Sequence, residues 1–202
     1  MKRIANALLI AAVGLLLAGP AVAVIDPAPD VVGVYFDPNA DTREVFVAPN
    51  VPFHVYVILT NPTHPEIWGF ELGYELTPSG PAGTLFRLGR ILPPDSINLG
   101  IDDDILAGSY VVGMAAPLPG AQAVVLVQWQ FMLLTNMAVY FQLGPSEVQS
   151  IPDGLPAYEA GGVIVPMGLS FGCWTPGSGS VNEECGLATE ESTFGAVKAL
   201  YR

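Results

Sequence analysis

The sequence predicts an all-β protein: an antiparallel β-sandwich of about nine strands, then a disulfide-stapled loop and a short C-terminal helix. Three observations carry this expectation. Apolar and polar residues alternate with period two in several segments, Pro, Gly, Asn and Asp punctuate the chain between them, and helical spacing is missing before the C-terminus. With 202 residues, 51% hydrophobic and only 13% charged, the chain holds one domain's worth of core-forming material and too much of it for disorder.

Residues 1–23 read as a secretory signal peptide. Lys2 and Arg3 precede an apolar run over residues 4–18, Gly19-Pro20 breaks it, and Ala21-Val22-Ala23 supplies an A-x-A cleavage site. Cleavage after Ala23 predicts a secreted, periplasmic or cell-surface protein. The next richest apolar stretch, residues 121–134, is interrupted by Gln128 and Gln130, so no membrane span is expected in the mature chain. Seven basic against nineteen acidic residues give a net charge of −12, which argues against nucleic acid as a partner.

The sandwich is expected over residues 24–166. Phe53, Val55, Val57 and Leu59 share one face of a strand, opposite His54, Tyr56, Ile58 and Thr60. Trp68, Phe70, Leu72, Tyr74 and Leu76 oppose Gly69, Glu71, Gly73 and Glu75. Val125, Val127, Trp129, Phe131 and Leu133 oppose Gln128 and Gln130, and Val139, Phe141 and Leu143 repeat the pattern. Weaker strand signals cover residues 31–36, 44–48, 84–91, 105–115 and 162–166. On these faces Trp68 and Trp129 are expected in the core, while Glu71 and Glu75 keep an outer face wet.

Asn50-Val51-Pro52-Phe53 leading into a strand, then Trp68-Gly69-Phe70-Glu71-Leu72-Gly73-Tyr74-Glu75-Leu76, resembles the early strands of cohesin-like domains. Glu75-Leu76-Thr77-Pro78 stands where those domains carry a Tyr-Asp-Pro-like corner. Similar sandwiches occur in bacterial carbohydrate-binding modules. The resemblance implies a cohesin-like, immunoglobulin-like or jelly-roll sandwich. It also implies a non-catalytic structural, adhesion or scaffold role with a protein partner, the alternative being a module that binds an extracellular glycan.

Residues 167–202 read as a separate element. Cys173 and Cys185 are expected to pair in an oxidising compartment, closing a Gly/Ser-rich loop. Thr189 or Ser192 can cap a short helix whose Phe194, Val197 and Tyr201 fall on one face; this helix either docks on the sandwich or serves as a recognition tail.

No catalytic site is expected. Gly168-Leu169-Ser170-Phe171-Gly172 matches a nucleophile pattern, but both histidines, His54 and His64, lie far upstream of it. Asp37-Pro38-Asn39-Ala40-Asp41 begins like a calcium loop and then fails, with Thr42 and Ala48 at positions that need Gly and an acid. A solvated turn is the expectation there. Calcium is the one ion the sequence offers a place for, at Asp102, Asp103 and Asp104, where adjacent carboxylates repel unless a cation or water screens them. For a sugar ligand, Trp174 and Tyr56 are the stacking aromatics to consider.

Overall fold

The computed structural model describes residues 26–170 and 179–183. Within them the chain is all-β, with strands in the order β1 Val31–Tyr35, β2 Glu44–Val45, β3 Pro52–Thr60, β4 Glu66–Pro78, β5 Leu85–Ile91, β6 Ser96–Asn98, β7 Ala107–Pro119, β8 Ala123–Leu133, β9 Val139–Gly144, β10 Ala157–Ala160, β11 Val163–Pro166, β12 Gly168–Leu169 and β13 Gly179–Val181. No helix among the described residues is long and apolar enough to cross a membrane.

These strands form two sheets. One runs β12-β1-β3-β8-β5. The other is built on β4, which pairs along Glu66–Glu75 with β7, itself flanked by β6. On its opposite side β4 meets β10 at Gly69–Glu71 and β9 at Gly73–Pro78. β11 extends the first of these branches, and β13 and β2 extend the second.

All nine expected strand segments are present, and four short strands join them. β6, β10, β12 and β13 are two to four residues long, too short to display an alternating pattern. Two of them lie beyond residue 166: β12 pairs parallel with β1, and β13 sits between β9 and β2. Cys173, Cys185 and the expected C-terminal helix lie outside the described residues, as does the signal-peptide segment 1–23.

The core fills the space between the sheets around Trp129, which is 1% exposed. Its indole packs against Tyr74 at 5.2 Å and Phe141 at 6.3 Å between ring centroids, and its Nε1 donates to the Tyr110 hydroxyl at 2.8 Å. The hydrogen bond removes the cost of burying the indole N–H. Phe53, Val55, Val57 and Leu59 face this core as expected.

Two bulges change the faces expected elsewhere. The β3–β8 register slips between Val57 and Ile58, so Val124 and Leu126 enter the main core while Val125 turns to the outer side. The β4–β7 register slips between Ile67 and Gly69, so Ile67 takes the core position and Trp68 stays half-buried at the surface. One inserted residue reverses every face beyond it.

Ser170 is fully buried at the end of β12, and its N–H donates to the Val32 carbonyl at 2.9 Å. That places it in the packing under β1, away from any accessible surface. A Cβ at Gly33 would land on Ser170 Oγ and crowd the Tyr35 ring. We therefore expect Gly33→Ala to cost about 1–3 kcal/mol by overpacking, read from urea unfolding, with part of the loss recovered when Ser170→Gly is added.

Candidate functional site

The outer face of the β4 sheet carries the most exposed apolar group of the described residues. Ile97, Leu99 and Ile101, on and after β6, are 67%, 78% and 57% exposed. Soluble proteins seldom leave several large aliphatic side chains together in water without a partner for them. Around Leu99 the surface dips into a groove of about 310 Å³, whose lining includes Trp68, Gly69, Val111, Gly113 and Ile164. The β4 bulge brings Trp68 to this groove, and the pairing of β11 with the short strand β10 brings Ile164. Gly113 forms open floor, since a Cβ there would meet nothing within 4 Å.

Farther along the same face lies a second cavity of about 510 Å³. Its walls include Glu75, Asp103, Asp104 and Glu147 over a floor of Gly73 and Ser109, and no lining residue is cationic. Glu71, which lines the first groove beside Ser150, departs from the wet-face expectation. It is 6% exposed, and its carboxylate accepts from the Ser150 N–H and hydroxyl, both at 2.8 Å. Residues after β9 fold back over it.

The Asp102-Asp103-Asp104 run splits in the structure. Asp102 turns inward, its side chain 2% exposed, and both carboxylate oxygens bind arginines of β5, Oδ1 taking Arg87 and Oδ2 taking Arg90. The Tyr74 hydroxyl donates to Asp102 and accepts from Arg87 Nη1 at 2.9 Å, while Arg87 Nη2 donates to the Asp102 carbonyl at 3.0 Å. Burial pushes the Asp102 carboxyl up, but the bonds from Tyr74 and Arg87 and the arginine charges outweigh it and hold the group below the usual carboxylate range. Burial pushes the Tyr74 phenol up, and the neighbouring Asp102 adds to the rise.

Asp103 and Asp104 point instead toward the second cavity. Any cation at this run would therefore answer to those two, because Asp102 is already neutralised. Among the described residues no three His, Cys, Asp or Glu side chains converge as a metal site. Asp37 accepts backbone N–H groups of Asn39, Asp41 and Thr42, forming the solvated turn read from its sequence.

Tyr56 lies on the outer face of the other sheet, half-buried beside Tyr35 and Ile58, with His54 at 6.3 Å between ring centroids. It is remote from both cavities by sheet. Trp174 lies outside the described residues. Trp68, which period-two reading assigned to the core, lines the groove together with the buried Phe70 and Tyr158.

No family model and no curated protein matches this chain. Solved structures do match. The sixth cohesin of Acetivibrio cellulolyticus scaffoldin B, solved with a Cel5 dockerin mutant, superposes with a TM-score of 0.50 at 10% identity, covering 78% of this chain and all of that one. The fold is that of a cohesin module. The cohesin module of a Clostridium perfringens family 33 glycoside hydrolase aligns at a TM-score of 0.47 and 12% identity, over 77% of this chain and 99% of that one. The seventh type I ScaB cohesin of Pseudobacteroides cellulosolvens aligns at 0.47 and 10%, over 75% and 88% respectively.

Within this cohesin fold Asp102 ties the β6–β7 loop to β5 of the opposite sheet. Asp102→Asn leaves two partly buried arginines short of their counter-charge and should destabilise the protein by about 3 kcal/mol. Its folded pKa is depressed, so the stabilisation is complete above about pH 5 and drains as pH falls below the free-aspartate value near 3.9. Melting curves between pH 6 and pH 3 should fall more steeply for the wild type than for Asp102→Asn.

Proposed function

We propose that this protein is an exported, non-catalytic interaction module that docks a protein partner on the outer face of its β4 sheet. The observation that carries the reading is the exposed Ile97-Leu99-Ile101 group beside the Trp68 groove. Aliphatic side chains of this size gain by being covered, and the backbone that carries them is already tied to β7 at Leu99 and Ile101, so a partner binds without ordering the surface first. The related Acetivibrio cohesin was solved bound to a dockerin, which makes a folded protein domain the class of partner to seek. Aliphatics also suit a protein better than a sugar, whose pyranose rings stack on flat exposed aromatics. Glycan binding through Tyr56 and Trp174, and calcium at Asp103 and Asp104, remain proposals that the same protein can test. The export reading rests on the basic, apolar and A-x-A segments of residues 1–23.

A photo-crosslinking residue placed at Leu99 should trap a discrete protein from the organism's extracellular fraction. The same probe at His54, exposed on the other sheet, should trap none. Equal yields at the two positions would remove the face from consideration. Leu99→Asp should abolish the crosslink to a probe at Ile97 while changing stability by less than about 0.5 kcal/mol, as an exposed substitution does.

A further inference from the structure

The docking reading leaves the partner's chemistry open, and the inference here rests on that reading. We propose that the partner segment carries a bulky apolar side chain for the Trp68–Leu99 groove and, roughly 13–20 Å along β4, a lysine or arginine for the acidic cavity.

The register sets the spacing of the two sites. β4 presents Gly69, Glu71, Gly73 and Glu75 outward in that order, and β7 answers with Gly113, Val111, Ser109 and Ala107. The groove lies over the Gly69–Gly113 end and the acidic cavity over the Gly73–Ser109 end. Between them the chain after β9 crosses over β4, with Ser150 bonded to Glu71 and the Pro145 carbonyl lying over Gly73, so the partner has to bridge this crossing to reach both sites.

Charge supplies the second half of the argument. The described residues include three cations, and each is engaged: Arg43 lies 3.8 Å from Asp26 and donates to the Tyr35 hydroxyl, while Arg87 and Arg90 both hold Asp102. Asp104 uses Oδ1 on the Leu106 N–H. Glu75, Asp103 and Glu147 are left exposed in the walls of one cavity without an ion pair among the described residues. Like charges gathered in a cleft focus potential and favour a counter-charge brought from outside. The carboxylates do not converge on a single point as ligands to one ion would. That spread suits a long cationic side chain reaching in from a docked chain, which can share its charge among several walls.

Geometry also provides clean variants. Gly113→Trp fills the groove without meeting any atom of the fold at its Cβ, and its backbone is not in the left-handed region. Glu75→Lys, Asp103→Lys and Glu147→Lys change only exposed side chains.

The test is a random-peptide display selection on the purified full chain, with Gly113→Trp as the counter-selection. Melting curves show that each variant is folded. Enriched peptides should pair an aromatic or leucine anchor with Lys or Arg. Synthesised and labelled, they should lose at least tenfold in affinity on Gly113→Trp and on the triple lysine variant, and weaken as salt rises. Enrichment of apolar peptides without Lys or Arg, or affinity unchanged in the triple variant, overturns the proposed partner chemistry and leaves the docking face standing. No enrichment above the Gly113→Trp background likewise overturns the proposed partner chemistry, and failure of the docking face itself is read separately from the Leu99 crosslink.

Discussion

Asp102 is the residue on which the working end of this sandwich depends. A carboxylate with 2% exposure is sustained only because two arginines and a phenol meet it there. The partners come from different places: Arg87 and Arg90 from β5 at the edge of one sheet, Tyr74 from β4 in the middle of the other. Tyr74 stacks on Tyr110 at 5.5 Å and lies against Trp129, so the ion cluster closes the end of the aromatic core. The same aspartate fixes the loop between β6 and β7. Backbone bonds to β7 hold the residues just before it, the Leu99 N–H donating to the Val111 carbonyl at 2.8 Å and the Ile101 carbonyl accepting from the Ser109 N–H at 2.7 Å. A loop held this way can present aliphatic side chains to water without collapsing onto the sheet.

A second polar tie acts at the other end. Asp30 accepts from the Tyr158 hydroxyl at 2.6 Å and from the Thr63 N–H and hydroxyl at 2.8 Å each. It connects the approach to β1 with β10 of the opposing sheet. Between these ties the sheets are held by apolar packing, which is strong but does not choose one sliding position over another. Directional bonds at both ends, with the Trp129–Tyr110 hydrogen bond across the core, supply that choice.

How much of this was legible depends on how far each strand runs before a bulge. β3 has a long uninterrupted alternation on the core side, and its four inward residues read correctly. In β8 and β4 the alternation looks equally regular, yet one extra residue shifts the phase, and nothing in Val124-Val125-Leu126 announces it. Trp68 shows the cost: by period two it belongs with Phe70 and Leu72, and the bulge moves it to the surface, where it lines the groove. Glycine beside a large aromatic was the available hint, because glycine inside a strand often marks a bulge. The acidic run was legible as a charge cluster but not as two functions. Arg87 and Arg90, two of the few cations in an acidic chain, were the signal that one aspartate would be consumed internally. The four short strands were invisible to pattern reading because their hydrogen bonds come from long-range neighbours already in place.

The apolar face and the acidity belong to one solution of a single problem. A row of aliphatics next to a short edge strand invites a second copy of the same surface. Here β6 spans only Ser96–Asn98, and carboxylates surround the exposed group: Asp95 on one flank, Glu159 across the groove, Asp103 and Glu147 beyond it. Two copies meeting face to face would bring these like charges together with no described cation free to offset them. A surface complementary in both respects, apolar where this one is apolar and basic where it is acidic, meets no such repulsion. The charge that keeps identical copies apart therefore selects the kind of surface that can approach.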